Sequence, residues 1–339
     1  MLRQQDVGHR IVVRRIVGVR YGRTLFSDAL GELVELTETH LTIATARGVV
    51  QVPLTEVHRA KRVPPARRPM ASAVVELERA ANESWPAPVQ ERMGGWLLRT
   101  AGGWTGRANS ALPIGDPDRP LEAAIDAVVA WYAEHGQPAM INVPLPLAAP
   151  VGVALDERGW GARPLTLVQT APLTTLLTTA PAGAALQVGV PELAAEPSPG
   201  WLALAGAGKA ARSSGREDRT LPATARHVLT AVGTVRFAHL YAERGPRSGG
   251  GELLAIARGT VTGAGRWLGI SLIEVEPAAR RRGLAGLLIR ALAEWAAERG
   301  ATDAFLQVEE RNTGAVALYR KLGFRTHHTY LTRVAPGHR

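Results

Sequence analysis

The sequence predicts an α+β (mixed α/β) protein in which a small all-β module precedes two copies of one mixed unit. Residues 1–64 contain five short apolar segments separated by turn residues, which is typical of a small barrel. The C-terminal part alternates apolar strands with amphipathic helices. Residues 125–172 also align without a gap on residues 289–336, at a constant offset of 164 positions.

The N-terminal module is the basic part of the chain. Its predicted strands are residues 10–17, 31–36, 41–46, 49–53 and 57–63. The whole chain has a formal net charge of +10, and residues 1–70 hold twelve arginines and lysines against six acidic residues. A basic module of this kind is a candidate contact surface for a protein or a nucleic acid.

The aligned segments match at helix ends, turns and core positions. Trp131 aligns with Trp295, and Gly136 aligns with Gly300. We therefore predict three domains, at residues 1–64, 70–173 and 187–339.

A glycine-containing turn in the last domain is the clearest candidate binding site. The apolar strand Leu268–Val275 leads through Pro277 to Arg280-Arg281-Arg282-Gly283-Leu284-Ala285-Gly286, where an amphipathic helix begins and continues to about residue 298. Unpaired backbone N–H groups gather at a helix N-terminus, at the positive end of the helix dipole. The turn is therefore expected to bind an anion such as a pyrophosphate, with the arginines adding positive charge.

A second strand and helix complete the motif. The strand at residues 304–309 leads to Asn312 and then to the segment Ala315–Phe324, which includes Tyr319 and ends in Gly323-Phe324. The ordered combination of strand, R-x-x-G-x-A, strand and N-x-x-A-x-x-L-Y-x-x-x-G-F resembles the GNAT superfamily of acetyl-CoA-dependent N-acetyltransferases. The resemblance covers at least residues 235–335, and the N-terminal module looks like the SH3-like barrel fused to some bacterial GNAT proteins.

The resemblance implies a binding mode for acetyl-CoA. Its pantetheine arm would lie along the strand Leu272–Val275, with Val275 as the backbone contact, and its pyrophosphate on the N–H groups of 281–286. Asn312 would hydrogen-bond the cofactor, and Tyr319 would protonate the departing thiolate as general acid. A phenol ordinarily has a pKa of about 10, which suits proton donation to a thiolate of similar basicity.

The general base stays open at this stage. An alkyl ammonium must lose a proton before it can attack the thioester, either directly or through water. Glu274 lies near the end of the fourth strand of the fold, and Glu309 ends the fifth. Either carboxylate could accept the proton, and either could equally be a solvated acid at the end of a strand.

The first copy lacks the features of this site. Opposite 280–285 it has Asp116-Pro117-Asp118-Arg119-Pro120-Leu121, whose prolines remove backbone donors and whose aspartates repel phosphate. Ala148 aligns with Asn312, and Leu155 aligns with Tyr319. We therefore expect residues 70–173 to be non-catalytic.

Composition excludes several other classes of site. The chain has no cysteine, which excludes disulfides, thiol nucleophiles and cysteine-ligated metals. No group of residues has the spacing of metal ligands. No apolar run approaches the length of about 20 residues that a membrane span needs. The N-terminus does not resemble a signal peptide. We expect a cytoplasmic enzyme without a metal or a membrane contact, acting on a small-molecule amine, a protein lysine or a protein N-terminus.

Two alternatives remain at the level of sequence. Mycothiol synthase is also a tandem GNAT enzyme with one active half, but it is not expected to carry an N-terminal barrel. A non-catalytic protein that senses acetyl-CoA, or binds protein or nucleic acid through residues 1–64, belongs to a different class. The barrel offers few aromatic residues for base stacking, with Tyr21 and Phe26 as the candidates.

Overall fold

The chain forms two compact units, Met1–Arg68 and Pro69–Arg339. The computed structural model describes residues 2–20, 22–45, 48–63, 69–178, 188–212, 221–243 and 251–337. The predicted domain boundaries at residues 64 and 187 lie outside the described residues, so the division into three domains stays a prediction.

The first unit is an all-β module. Its strands are β1 (Arg10–Arg20), β2 (Arg23–Leu36), β3 (His40–Thr45), β4 (Gly48–Pro53) and β5 (Val57–Arg62). They form an antiparallel sheet in the order β4-β3-β2-β1-β5, around a buried core of Ile11, Val13, Leu33, Leu41, Ile43 and Val52.

The second strand is longer than predicted. It begins at Arg23, well before the expected start at Gly31, because residues 23–30 pair with β1 up to Arg20, with a register shift between Ile16 and Gly18. Most side chains in this part of β2 are exposed, so the segment lacks the apolar alternation by which a half-buried strand is identified.

The second unit is a mixed α/β structure. Its first half contains α1 (Ala71–Ser84), β6 (Val89–Met93), β7 (Trp96–Thr100), β8 (Leu112–Pro113), α2 (Leu121–Glu134), β9 (Met140–Leu145), α3 (Ala149–Glu157), β10 (Gly161–Ala162), β11 (Thr166–Pro172) and α4 (Leu173–Thr178). Its second half contains β12 (Glu192–Ala194), α5 (Pro199–Arg212), α6 (Ala223–Thr230), β13 (Val235–Tyr241), β14 (Leu253–Thr262), β15 (Trp267–Val275), α7 (Leu284–Ala297), β16 (Asp303–Glu309), α8 (Thr313–Lys321) and β17 (Arg325–Val334). The elements α2, β9 and α3 recur in the same order as α7, β16 and α8, at nearly the spacing of the internal alignment.

The two halves exchange their last strands. Strand β11 pairs with β16 of the second half, whereas β17 pairs with β9 of the first half. Between them, β11 and β17 pair with each other, and Thr166 lies opposite Tyr330, its own counterpart in the internal alignment. An approximate twofold axis therefore passes between these two residues, and the halves share one sheet through β9, β17, β11 and β16.

The sheet of the second half has two packed faces. Gly259 of β14 faces α7, since a side chain there would overlap Leu292. Arg258, the preceding residue, faces the other side and reaches Ser84 at the end of α1. We call these the α7 face and the α1 face. No helix among the described residues has the length and apolar character needed to cross a membrane.

Candidate active site

Two parallel strands separate in the middle of the sheet. Strands β15 and β16 pair from Trp267 to Ile270 and from Asp303 to Leu306, respectively, and then diverge. Beyond this point β15 remains paired with β14, whereas β16 remains paired with β11. We call the gap between 271–275 and 307–309 the splay.

A bulge accompanies the splay. Leu272 has a φ of +52°, and the pairing of β15 with β14 shifts between Ile256 and Arg258. A bulge of this kind turns a strand locally and leaves backbone groups unpaired, so a ligand can approach them. Leucine does not favour positive φ, so the sequence carries no signal for this feature.

A helix begins just beyond the end of each diverging strand. Strand β15 ends at Val275 and α7 starts at Leu284, whereas β16 ends at Glu309 and α8 starts at Thr313. The N-terminal, positive ends of both helices therefore lie beside the carboxyl ends of two parallel strands, a common place for anionic ligands in α/β sheets.

The turn before α7 has the geometry of an anion cradle. Arg281 and Gly283 have positive φ values of 65° and 80°. The carbonyl of Gly283 accepts hydrogen bonds from the N–H groups of Gly286 and Leu287. Within the described part of the chain, none of the N–H groups from 281 to 285 donates to a backbone carbonyl. These donors are therefore available to a pyrophosphate, and the buried Leu284 could contribute only its backbone.

The three arginines of the turn are exposed. Arg280 donates from Nε to the carbonyl of Val275 at 3.2 Å, which ties the turn to the end of β15. Arg281 and Arg282 form no ion pair with any described residue. Their positive charge is therefore available to an anion bound at the cradle. Val275, the last residue of β15, lies at the start of the turn.

Tyr319 and Asn312 lie on the α8 side of the splay. Tyr319 is buried, and its ring packs edge-on against Phe324 with centroids 5.9 Å apart. Asn312 caps α8, because its side-chain oxygen accepts a hydrogen bond from the N–H of Ala315 at 3.3 Å. The capping amide is exposed, so capping leaves it accessible to a ligand.

The two candidate bases lie in different environments. Glu274 is buried and pairs across the sheet with Ile256, which places it on the α1 face. Its carboxylate lies against Gly208 of α5, where any side chain would overlap it. Glu309 is exposed and forms a 2.6 Å ion pair with Arg311. Sequence reasoning did not single out Gly208, because its contact with Glu274 joins two positions that are distant along the chain.

The corresponding region of the first half is built differently. Strand β8 has two residues, and one isolated bridge, from Ala111 to Ile141, joins this edge to β9. Pro120 stands at the N-cap of α2, and Asp116 accepts a hydrogen bond from the N–H of Asp118. The aspartate carboxylate thus occupies a donor that a phosphate would need, in keeping with the prediction that this half is non-catalytic.

Comparison with known proteins identifies the family. The family model described as "Probable histone acetyltransferase Rv0428c C-terminal" matches residues 71–332. The chain belongs to this family. A relative from Mycobacterium tuberculosis, named "Probable histone acetyltransferase Rv0428c", is 29% identical over 331 residues, which cover 92% of each chain. The "Uncharacterized N-acetyltransferase YobR" of Bacillus subtilis is 29% identical over 255 residues, covering 74% of this chain and 93% of the relative.

Solved structures agree with this assignment. A GCN5-related N-acetyltransferase from Kribbella flavida superposes with a TM-score of 0.56 at 19% identity, covering 80% of this chain and 98% of that one. A tandem GNAT protein from the clavulanic acid biosynthesis pathway superposes with a TM-score of 0.52 at 17% identity, covering 80% and 89%. The prediction of a tandem GNAT fold is confirmed, and the chain is an acetyltransferase.

Proposed function

We propose that the chain transfers an acetyl group from acetyl-CoA to a primary amine, with its active site in residues 187–339. The observation that carries this proposal is the splay between β15 and β16, which opens beside the unpaired N–H groups of the turn before α7. The splay offers the edge of β15 to a pantetheine chain, and the turn offers its donors to a pyrophosphate.

In this proposal, different residues bind acetyl-CoA, donate a proton and accept a proton. Bound acetyl-CoA would supply a thioester that a neutral amine attacks, with the sulfur leaving as a thiolate. Backbone groups of 272–275 and 281–285, together with the side chains of Arg280 to Arg282 and Asn312, would hold and orient it, whereas the N–H of Gly286 is used within the turn. Tyr319 would donate its phenolic proton to the sulfur, and a carboxylate on the α1 face would take a proton from the amine.

Glu274 fits the role of base better than Glu309, because Glu274 is buried beside the bulge whereas Glu309 is held in an exposed ion pair with Arg311. We expect Glu274→Gln to lower kcat/KM by about 10- to 100-fold, since proton removal then depends on water. Glu309→Gln is the matched control and should stay within about twofold of wild type. Steady-state kinetics across pH would test this, and equal losses in both variants would remove Glu274 from the proposed mechanism.

The proposal leaves the identity of the acceptor amine to be determined by experiment. The mycobacterial relative is named a probable histone acetyltransferase, so we include a lysine-containing basic peptide in the acceptor panel beside small amines. Contact with a protein or a nucleic acid through residues 1–64 also stays a prediction. It is supported by the adjacent strands β1 and β5, which pair from Ile11 to Arg15 and carry several basic side chains.

Binding of acetyl-CoA can be tested without knowing the acceptor. All eight tryptophans lie between Trp85 and Trp295, so the thermal unfolding transition seen by tryptophan fluorescence reports on the second unit of the full chain. Acetyl-CoA at 100 times its Kd should stabilise the wild type by about 2.7 kcal/mol. Gly283→Glu should lose this stabilisation, because a carboxylate would then compete with the pyrophosphate at the cradle.

Gly300→Glu provides a control for both strain and charge. Gly300 has a φ of +84°, close to that of Gly283, and it lies on the surface beyond the opposite end of α7. Both variants place glutamate at a positive φ, so both should lose a similar amount of intrinsic stability. Stabilisation by acetyl-CoA should persist in Gly300→Glu alone. Equal stabilisation of both variants would rule out the cradle as the pyrophosphate site.

A further inference from the structure

Two side chains mark the point at which β15 and β16 separate. Ser271 and Gln307 are the first residues beyond the last paired positions. The hydroxyl of Ser271 accepts a hydrogen bond from Nη1 of Arg258 at 3.4 Å. The side-chain oxygen of Gln307 accepts hydrogen bonds from Nη1 of Arg107 at 2.9 Å and from the hydroxyl of Tyr330 at 3.2 Å. We call this region the closed end of the splay.

The first half of the unit covers the closed end on the α1 face. The guanidinium carbons of Arg107 and Arg258 lie 4.7 Å and 5.3 Å from the ring centroid of Trp85. Trp104 stacks on Trp85 with centroids 5.4 Å apart. A continuous arch therefore runs from Ser271 through Arg258, Trp85 and Arg107 to Gln307, and Trp85, Trp104 and Arg107 come from the first half.

The two arginines of this arch differ in how their donors are used. Arg258 donates to the carbonyls of Ser84, Val228 and Leu229 as well as to Ser271. The Arg107 guanidinium makes one hydrogen bond within the described part of the chain, through Nη1, so Nε and Nη2 have no acceptor there. One planar edge of the Arg107 guanidinium is therefore available to a ligand.

Arg107 also has no carboxylate partner among the described residues. Glu78, the acidic residue whose charge acts on it, is buried and holds the imidazole of His328 at 2.7 Å. Burial lowers the pKa of the Arg107 guanidinium, and the charge of Arg107 adds to the effect of burial in lowering the pKa of Arg258 to about 9. The arch thus holds positive charge in excess of its negative charge.

We infer that Arg107 binds an anionic group, a carboxylate or a phosphate, carried by the amine acceptor. The guanidinium fork matches the two oxygens of such a group, and the contacts with Trp85 and Gln307 hold it at the closed end of the splay. This inference rests on the proposed function, since it takes the splay as the entry of the acetyl group. It also gives the non-catalytic half a direct part in recognising the acceptor.

Matched pairs of amines test this inference. L-lysine and cadaverine differ by one carboxylate, and phosphoethanolamine and ethanolamine differ by one phosphate. Wild type should acetylate the anionic member of at least one pair with a kcat/KM at least about tenfold higher, as expected for a charged hydrogen-bonded pair. Arg107→Gln should abolish this preference through KM with kcat retained, and Arg107→Lys should keep part of it because it keeps the charge.

Arg92→Gln is the matched control, since Arg92 is an exposed arginine of the same half, on β6. It should keep the full preference. A preference that is absent in wild type, or unchanged in Arg107→Gln, would overturn the inference. So would acetylation of a basic lysine peptide with no turnover of either anionic amine, and so would no turnover of any amine. No turnover of any amine would also overturn the proposed function, on which the inference rests. Turnover of the peptide, or of both members of a pair without a preference for the anionic one, would overturn the inference alone.

Discussion

Tyr319→Phe is expected to lower kcat for acetyl transfer by about 100- to 1000-fold, a typical effect of losing a general acid. The substitution removes one hydroxyl group and keeps the ring, which packs edge-on against Phe324. The proton is needed only as the sulfur departs, so its loss affects the transition state and leaves ground-state binding of acetyl-CoA unchanged. The fold and the acetyl-CoA Kd should therefore match those of wild type.

Single-turnover kinetics with one accepted amine would separate the chemical step from binding and product release. Tyr241→Phe is the control, because it removes the same hydroxyl from a half-buried tyrosine that stacks on His239 in β13. Equal rates for wild type and Tyr319→Phe would exclude the phenol as the acid. Near-zero turnover in both proteins across the acceptor panel, with normal binding of acetyl-CoA, would favour the sensor over the enzyme.

The parts of the fold that depend on neighbouring residues could be predicted from the sequence. Helix α7 begins at Leu284, as predicted, since Gly283 supplies the left-handed residue that the preceding turn needs. The tandem fold was predicted from the ordered motif that resembles GNAT proteins, together with the gapless internal alignment. Helix ends, turns and strand lengths are set mostly by local sequence, and most of them came out close to expectation.

Features that join distant residues could not be predicted. The exchange of β11 and β17 depends on pairing between strands from different halves of the unit, and no residue in either strand signals its partner. The bulge at Leu272 opposes the preference of its own residue type, and it lies between Ser271 and Glu274, which both pair with β14. The arch over the splay likewise needed the structure, because it brings Arg107 of the first half to Gln307 of the second.

Arg258→Met is expected to destabilise the second unit by about 2–4 kcal/mol, because three buried carbonyls would each lose a donor. Arg258 is fully buried and lies where two helices end. Its Nη1 donates to the carbonyl of Ser84, the last residue of α1, at 2.9 Å, and its Nε donates to Leu229 of α6 at 2.8 Å. A positive charge at two helix C-termini also interacts favourably with both dipoles.

Three unpaired carbonyls alone would suggest a larger loss of stability than this. The expected loss is smaller because burying the charge of Arg258 itself costs free energy, and the substitution removes that cost. Burial, together with the charge of Arg107, lowers the pKa of the Arg258 guanidinium to about 9, in line with a cost of desolvating the buried charge. Methionine fills a similar volume and removes that cost. Arg258→Lys keeps the charge but loses the fork, so its loss of stability should fall between those of wild type and Arg258→Met.

Urea unfolding followed by tryptophan fluorescence would measure this loss in the full chain, since every tryptophan lies in the second unit. Arg290→Met is the control, because it removes a partly exposed arginine paired with Glu294 and should change stability by about 0.5 kcal/mol or less. A loss below about 1 kcal/mol in Arg258→Met would mean that water or a shift of α6 replaces the missing donors. In that case Arg258 would not hold α1, α6 and the bulged strand together, and the position of Ser271 at the closed end would need another cause.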